Sequence, residues 1–546
     1  MLRLVLATDN LDAETSLFSA GGTSMHAEIF ARAASEATGR SITFTDVFQN
    51  ASPAQMAKAL VEQGEDRTLA VELPPRSDPA EWRTVSENQA ARLERLRLSE
   101  ATGRAMFRGE AEIVGAGLEI AGLIDVPALA ETVEDLVRGT GALRTVFDWR
   151  AGTMRQRVSP EIFGLERIDA TGMPAVEIAA AVRRPFALDS GRLGRFVLVS
   201  FAPDRHQLWI VLEHIVSDAV SWDLVVAGLA REYSRRVTGL TAPSGSEIEP
   251  ASLHADVEGV EFAALEASWC ESARGREAER HWLAQIGDGP VWREFAHPAL
   301  APPSDPLGED VLLLHVAGRD AGHRLRERAA ELGTTLHALA VFSLARAAAR
   351  VTGVPDATIY WYTSNRSLPN VATTVGSVAG ITLARISPVP EVRSEQEVRR
   401  VTAVVAESMA QAFHPIDRIA RVHRHDDWIL PEDRAILVLH VNPEPAPESE
   451  PAPDSERGPG AVFADGSAAP DVFRWAGLRV TAVPASHSRD RRGYTIDAST
   501  RFTNEAFLIG LSYREDMLTS GAARELLDAF RIELLDFAPN LMKGKP

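Results

Sequence analysis

The stretch "LWIVLEHIVSDAVSW", Leu208 to Trp222, gathers an imidazole, two carboxylates and a hydroxyl at the end of an apolar run. The chemistry-bearing residues are Glu213, His214, Asp218 and Ser221. An imidazole, with an ordinary pKa of about 6.5, takes up and gives back a proton near neutral pH, so His214 is the candidate acid/base. Neighbouring residues of a strand point to opposite faces, which puts Glu213 behind the sheet when His214 faces a cleft. Were the two to meet, the carboxylate would favour imidazolium and oppose a general base. Asp218, if buried, requires a partner, and Ser221 is expected to cap the next helix.

A second segment, "FSAGGTSMHAEIF", sets two glycines before Ser24 at the head of a helix. A serine there is an N-cap or an attachment point, since a helix N-terminus favours a phosphate placed on it. No His-Asp pair lies near enough in sequence to activate Ser24, so a modification would need another enzyme. Cys270 in "ASWCESA" is the sole cysteine and has no histidine nearby, which marks it as a packed small hydrophobe. The fourteen histidines lack ligand spacing, so no metal site is expected; "HRHDD" at His423 to Asp427 is expected to be a solvated turn.

These residues have to be held by more than one folding unit, because 546 residues exceed a single ordinary core. Residues 1–65 form a small helical unit. "SMHAEIFARAASEATGR" places Met25, Ile29 and Ala33 on one face and stops at Gly39. "SPAQMAKALVEQG" starts at Ser52 with Pro53 in its first turn. Residues 66–83 are polar and Pro-rich, as a linker is.

Strands and helices then alternate through an α/β unit over 84–250. "AEIVGAGLEIAG" is a strand, Asp125 caps a helix with Leu129, Val133, Leu136 and Val137 on one face, and "RLGRFVLVSF" and "HQLWIVLEH" are neighbouring strands. A second α/β unit fills 251–546, with "TTLHALAVFSLARAAARVTG" as a buried helix. The run "PEPAPESEPAPDSERGPG" at 443–460 is acidic, rich in proline and expected to be a disordered loop.

Hydrophobic content of 45% and charged content of 24% are those of a soluble globular chain. The net charge is −19, and no basic stripe interleaved with aromatics is present, which argues against nucleic-acid binding. "MLRLVLATDN" lacks the features of a signal peptide, and no window approaches a membrane span; a cytoplasmic protein is expected.

Taken together, these segments resemble part of a nonribosomal peptide synthetase. "LDAETSLFSAGGTSMHAEIFARAASEATGRSITFTDVFQNASPAQMAKAL" resembles a peptidyl carrier domain, and "SENQAARL", "ALRTVF", "EHIVSDAVSW", "NRSLPNVATTVGSVAGITLAR" and "AFHPIDRIAR" resemble, in order, the segments of a condensation domain. The resemblance implies a small four-helix carrier followed by an α/β fold of two chloramphenicol-acetyltransferase-like lobes with a tunnel between them. It implies 4′-phosphopantetheine on Ser24, attached by a phosphopantetheinyl transferase, and His214 in the catalytic position. It also implies that Asp218 is structural, paired with Arg144. Upstream and downstream synthetase modules or carrier domains, an acyl thioester donor and an amine acceptor are the partners implied.

The sequence departs from the family pattern at several places. Glu213 stands for the first histidine of its HHxxxDG signature and Ala219 for its glycine. Gly139-Thr140 replaces Arg-His, Ser377 an aromatic and Gly380 an asparagine, which points to an enlarged or altered substrate pocket. Three further readings therefore accompany amide (or ester) formation. The spacing of Glu213, Asp218 and Ser221 distantly resembles heterocyclization domains, although His214 is retained. "DAVSW" resembles epimerization domains, whose other signature is missing around Asn365-Arg366. The last is a catalytically silent platform that binds partner proteins.

Overall fold

The computed structural model describes residues 12–17, most of 24–62, 78, 80–102, 113–239, 257–301, 310–366, 371–388, 394–423, 435–441, 472–482 and 495–538, apart from isolated positions within them. The Pro-rich run at 443–460 and most of the linker lie outside these residues. Among the described residues no single helix is long and apolar enough to cross a membrane.

The N-terminal unit contributes α1 (Ser24–Thr38) and α2 (Pro53–Glu62). Gly39, at φ 67°, ends α1, its N–H bonding to the Ser35 carbonyl as only a residue at ease in the left-handed region does without strain. Ser52 and Gln55 cap α2 reciprocally: Gln55 N–H donates to Ser52 Oγ at 3.3 Å, and Ser52 N–H to Gln55 Oε1 at 3.2 Å. The face of α1 buried here is Ala27, Phe30, Ala31 and Ala34, packed with Leu17, Val47 and Met56. Of the stripe expected from spacing, Ala33 is half-buried, and the side chains of Met25 and Ile29 lie outside the described residues.

The first lobe runs β1 (Arg83–Thr84), α3 (Glu87–Thr102), β2 (Ile113–Ala121), α4 (Val126–Gly139), a 3₁₀ turn at Gly141–Arg144, β3 (Thr145–Asp148), β4 (Arg155–Val158), β5 (Glu166–Asp169), α5 (Ala175–Val182), β6 (Gly194–Ala202), β7 (Arg205–Glu213), a 3₁₀ turn at His214–Val216, and α6 (Ala219–Thr238). Asp125 caps α4 as expected, accepting from Ala128 N–H at 2.9 Å. Leu129, Val133, Leu136 and Val137 enter the core with Trp222, Val225 and Leu229 of α6.

The second lobe runs α7 (Phe262–Glu271), α8 (Ala273–Ile286), β8 (Asp310–Gly318), α9 (Arg319–Glu331), α10 (Leu336–Thr352), β9 (Ala357–Thr363), β10 (Gly380–Ile386), α11 (Glu395–Ala410), α12 (Ile416–His423) and β11 (Ile436–Val441). Then follow β12 (Val472–Trp475), β13 (Leu478–Ala482), β14 (Thr495–Phe502), β15 (Ala506–Arg514) and α13 (Ser520–Leu535). Its sheet has the order β10-β9-β11-β14-β15-β8, with α10 buried along nearly its whole length against it.

The sheet of the first lobe has the order β12-β13-β2-β7-β6-β5. Two of its strands thus come from the chain after residue 251: β13 pairs antiparallel with β2, Val480 opposite Ile120. A division of the sequence at residue 250 therefore does not divide the sheets. Trp475 and Leu478 bury themselves in the core of the first lobe, which ties the two lobes through the backbone ladder. Ala406 of α11 joins the hydrophobic cluster of the N-terminal unit, with Met409 packed against it.

Candidate active site

β7 delivers the cluster. Its central residues are paired on both sides, to β2 and to β6, and are buried in the sheet. The pairing reaches Glu213, which lies opposite Ile113 and donates its N–H to the Leu193 carbonyl at 2.9 Å. Glu213 is buried, whereas His214 has already left the strand for the 3₁₀ turn and is only partly buried. Strand alternation therefore governs Glu213 but not His214.

The turn is held from several directions. His214 Nδ1 lies 2.8 Å from the Ser217 carbonyl oxygen, an acceptor, so Nδ1 carries the hydrogen and Nε2 the basic lone pair. Ser217 Oγ donates back to the Glu213 carbonyl at 2.8 Å. Gln89 of α3 donates to the Ile215 carbonyl at 3.1 Å. Ile215 and Val216 pack with Leu93, Phe147, Trp149 and Leu193. A half-open imidazole is thus mounted on a buried, fully tethered loop.

Asp218 closes the loop and caps α6, accepting at Oδ1 from Ser221 N–H at 2.8 Å. The cap of α6 is therefore Asp218; Ser221 was expected in that role but sits inside the first turn. Its hydroxyl donates to Asp218 Oδ1 at 2.8 Å and also lies 2.9 Å from the Gly376 carbonyl, while Gly376 N–H donates to it at 3.0 Å.

Asp218 does not pair with Arg144. Its partner is Arg366, which donates in a fork, Nη1 to Oδ2 and Nη2 to Oδ1, each at 2.9 Å. The N–H groups of Val378 and Ala379 add bonds to Oδ2 at 3.2 and 3.0 Å. Against full burial, the Arg366 guanidinium and the Ser221 donors hold the Asp218 carboxyl below its ordinary value. Arg144 instead caps the end of α4, donating to the carbonyls of Val137 at 3.0 Å and Arg138 at 3.1 Å, and also to Ser159. All three nitrogens of its guanidinium point at carbonyls, two at the end of α4 and one just beyond β4, and none bonds Asp218.

The Asp218–Arg366 pair spans the lobes, α6 belonging to the first and Arg366 to the segment between β9 and β10. Close backbone packing accompanies it: a Cβ on Gly259 would lie 2.5 Å from the Val375 carbonyl oxygen. Farther along the seam, Glu87 of α3 binds Arg421 of α12 through both carboxylate oxygens, with Arg418 at 3.3 Å. Glu266, fully buried, accepts from Glu87 N–H at 2.8 Å, and burial pushes its carboxyl up to about 8.

The positions in the β9–β10 segment that depart from the family pattern are closely packed. Asn365, at φ 53°, fills the space beside Gly380, where an added Cβ would meet its amide nitrogen at 2.5 Å. Asn88 donates to Ser377 Oγ and to the Ala379 carbonyl, each at 3.2 Å. The space left among Asn88, Asn365, Ser377 and Gly380 is ≈ 10 Å³, room for about one water. A larger cavity of ≈ 650 Å³ opens between α3, α7 and α12, lined among others by Glu94, Trp149 and Glu266. His214 does not line it.

Ser24 is the first residue of α1, where the free N–H groups of a helix start favour an attached phosphate. Cys270 is buried, and burial pushes its thiol up to about 12, which suits packing and not nucleophilic attack. His423 bonds Glu279 at 2.8 Å; the rest of the "HRHDD" turn lies outside the described residues. Sequence reasoning missed Arg366 as the anchor of Asp218 and Gln89 as the support of the His214 turn. Both stand inside segments quoted above, but their partners are more than a hundred residues away.

Residues 106–427 match the family model "Condensation domain", and residues 1–60 match "Phosphopantetheine attachment site". Tyrocidine synthase 3 of Brevibacillus parabrevis is 26% identical over 385 residues, covering 70% of this chain and 6% of that protein. Phosphinothricin tripeptide synthetase PhsB of Streptomyces viridochromogenes is 25% identical over 441 residues, covering 76% of this chain and 34% of that one. The chain thus spans a small part of the relatives it matches. Among solved structures, the X-domain from teicoplanin biosynthesis is similar in fold, with a TM-score of 0.64 at 17% identity over 86% of this chain and 98% of that one. The first condensation domain of the calcium-dependent antibiotic synthetase has a TM-score of 0.59 at 16% identity over 85% of this chain and 98% of that one.

Proposed function

This chain belongs to the condensation-domain family and carries a phosphopantetheine attachment domain ahead of it, and we propose that it transfers an acyl group from a carrier thioester to an amine, with His214 as the catalytic residue and Ser24 as the attachment point. The observation that carries this reading is the His214 turn. The Ser217 carbonyl fixes the tautomer, which leaves Nε2 as a base, and the surrounding loop is buried and cross-braced while the imidazole alone is half-open. Phosphopantetheine, when attached, supplies the thiol that bears the acyl chain. His214 Nε2 takes the proton released as the amine nitrogen bonds to the carbonyl carbon, and returns it to the departing sulfur. Asp218 and Arg366 position the turn without touching the reacting atoms. The partners of such a domain are a phosphopantetheinyl transferase and neighbouring synthetase modules.

The test is to load Ser24 with an acyl-phosphopantetheine, offer free amines or an aminoacyl carrier, and follow intact mass. Transfer in the wild type that disappears in His214→Ala, with unchanged circular dichroism, is expected. Equal transfer by both proteins would remove His214 from catalysis. An acyl group retained against every acceptor would replace the transferase reading with that of a binding platform.

A further inference from the structure

We infer that Asp223 is a substrate-recognition residue, pairing with an ammonium group on a substrate that enters between the lobes; this rests on the acyl-transfer reading above. One flank of α6, Trp222, Val225, Val226 and Leu229, is sealed into the core of the first lobe. Ala219, Val220, Asp223, Leu224 and Ala227 form the flank that stays partly open. Asp223 stands four residues, about one turn, beyond Ala219, and five beyond the Asp218 that anchors the His214 loop.

Among the described residues nothing donates to Asp223 Oδ1, although that oxygen is sealed from solvent. A buried acceptor stranded in this way destabilises the chain until a donor fills it. Arg366, the cation whose charge acts on Asp223, does not do so. Arg366 has both terminal nitrogens committed to Asp218, with further bonds to the carbonyls of Ser364 and Thr374 at 3.2 and 3.1 Å. Arg366 Nε, buried and itself without a partner among the described residues, does not bond Asp223 either.

Burial, reinforced by the negative charge of Asp218 and opposed by Arg366, pushes the Asp223 carboxyl up to about 8. At neutral pH it is therefore mostly protonated in the empty protein. An ammonium placed against it reverses that balance: Asp223 becomes a carboxylate, its proton passes to solvent, and the ammonium keeps its own three. A neutral hydroxyl in the same place gains only an ordinary hydrogen bond and displaces no proton. The side chain thus distinguishes a cationic substrate from an isosteric neutral one. The ammonium has two sources, the acceptor amine or a basic side chain on the acyl donor.

Calorimetric titration of the full chain with unreactive thioether analogues of acyl-pantetheine and aminoacyl-pantetheine tests this, in two buffers of different ionisation heat. The acceptor probe is paired with its hydroxyl isostere, and the donor probe is made with and without a terminal amine. For wild type, the ammonium-bearing probe of one pair is expected to bind at least tenfold tighter than in Asp223→Asn, with release of close to one proton that the variant lacks. Neutral probes are expected to bind both proteins alike. The pair that shows the loss identifies the acceptor or the donor as the source. Equal affinities and equal proton release for every probe would overturn the assignment. His214→Ala keeps the Asp223 signature in these titrations, so a protein that binds with this signature yet never transfers refutes the acyl-transfer reading and leaves Asp223 in place.

Discussion

Asp218 shows what burial demands of a charge. It collects six donations, from Ser221 N–H, Ser221 Oγ, two nitrogens of Arg366, and the N–H groups of Val378 and Ala379. Removing one partner of such a pair strands the other, typically at a cost of about 3–5 kcal/mol. Arg366→Ala is therefore expected to lower unfolding free energy by about that amount in denaturant titrations, with loss of transfer as a consequence of disrupted support. A double-mutant cycle between Asp218 and Arg366 is expected to show strong coupling. The same cycle between Asp218 and Arg144 should fall within about 0.5 kcal/mol of zero, because Arg144 serves carbonyls at the end of α4. Strong coupling to Arg144 would refute the reassignment.

At the scale of elements, the His214 turn is a short 3₁₀ segment that cannot hold itself, and α3 holds it. Gln89→Leu removes the donor to the Ile215 carbonyl and leaves a buried acceptor, costing about 1–3 kcal/mol of stability. Because the bond lies beneath His214, the transfer rate is expected to fall while the apparent KM for the acyl donor stays near that of wild type; an unchanged rate would show that the turn stands without α3. The strands β12 and β13 make a comparable point. Trp475 is buried in the core of the first lobe although it follows the second lobe's β11 in sequence. Trp475→Ala is expected to cost about 3–5 kcal/mol and to loosen the first lobe, seen as faster amide exchange along β2 and β7. Exchange confined to the second lobe would contradict the crossover.

At the scale of the molecule, the seam between the lobes stores buried carboxyls of opposite habit. Asp218 is held low, while Glu266 is raised from 4.5 to about 8 by burial, against the hydrogen bond from the Glu87 N–H; the negative charges of Glu87 and Asp417 add to the rise and Arg418 opposes it. A raised carboxyl binds its proton more tightly in the folded state than in the unfolded one. Its contribution is fully present below pH 4.5 and is lost as pH rises through about 8. Stability from this group falls across that window, with a slope of at most about 1.4 kcal/mol per pH unit. Glu266→Gln is expected to flatten that part of the stability–pH profile, measured by denaturation midpoints at a series of pH values. An unaltered slope would place the titration elsewhere, and Asp223, raised in the same direction, is the next group to examine.

Much of this organisation was legible in the sequence because it rests on local rules. Asp125 and Ser52 cap helices through bonds to residues three positions on, Gly39 stops α1 through its own backbone freedom, and apolar runs mark β6 and β7. The ordered motifs likewise placed His214 at the end of an apolar strand. Tertiary structure alone decided which charge meets which. Arg144 and Arg366 offer the same guanidinium, and only the crossing of α6 by the β9–β10 segment brings Arg366 to Asp218. The buried stripe of α1 depended on where Met56 and Val47 pressed against it, since a helix with small apolar residues on several faces offers more than one. Neither the use of Asn365 to fill the space beside Gly380 nor the membership of β12 and β13 in the first lobe's sheet has a local signal. Side-chain periodicity records burial along one element, whereas pairing between distant elements follows from packing that the whole chain must satisfy at once.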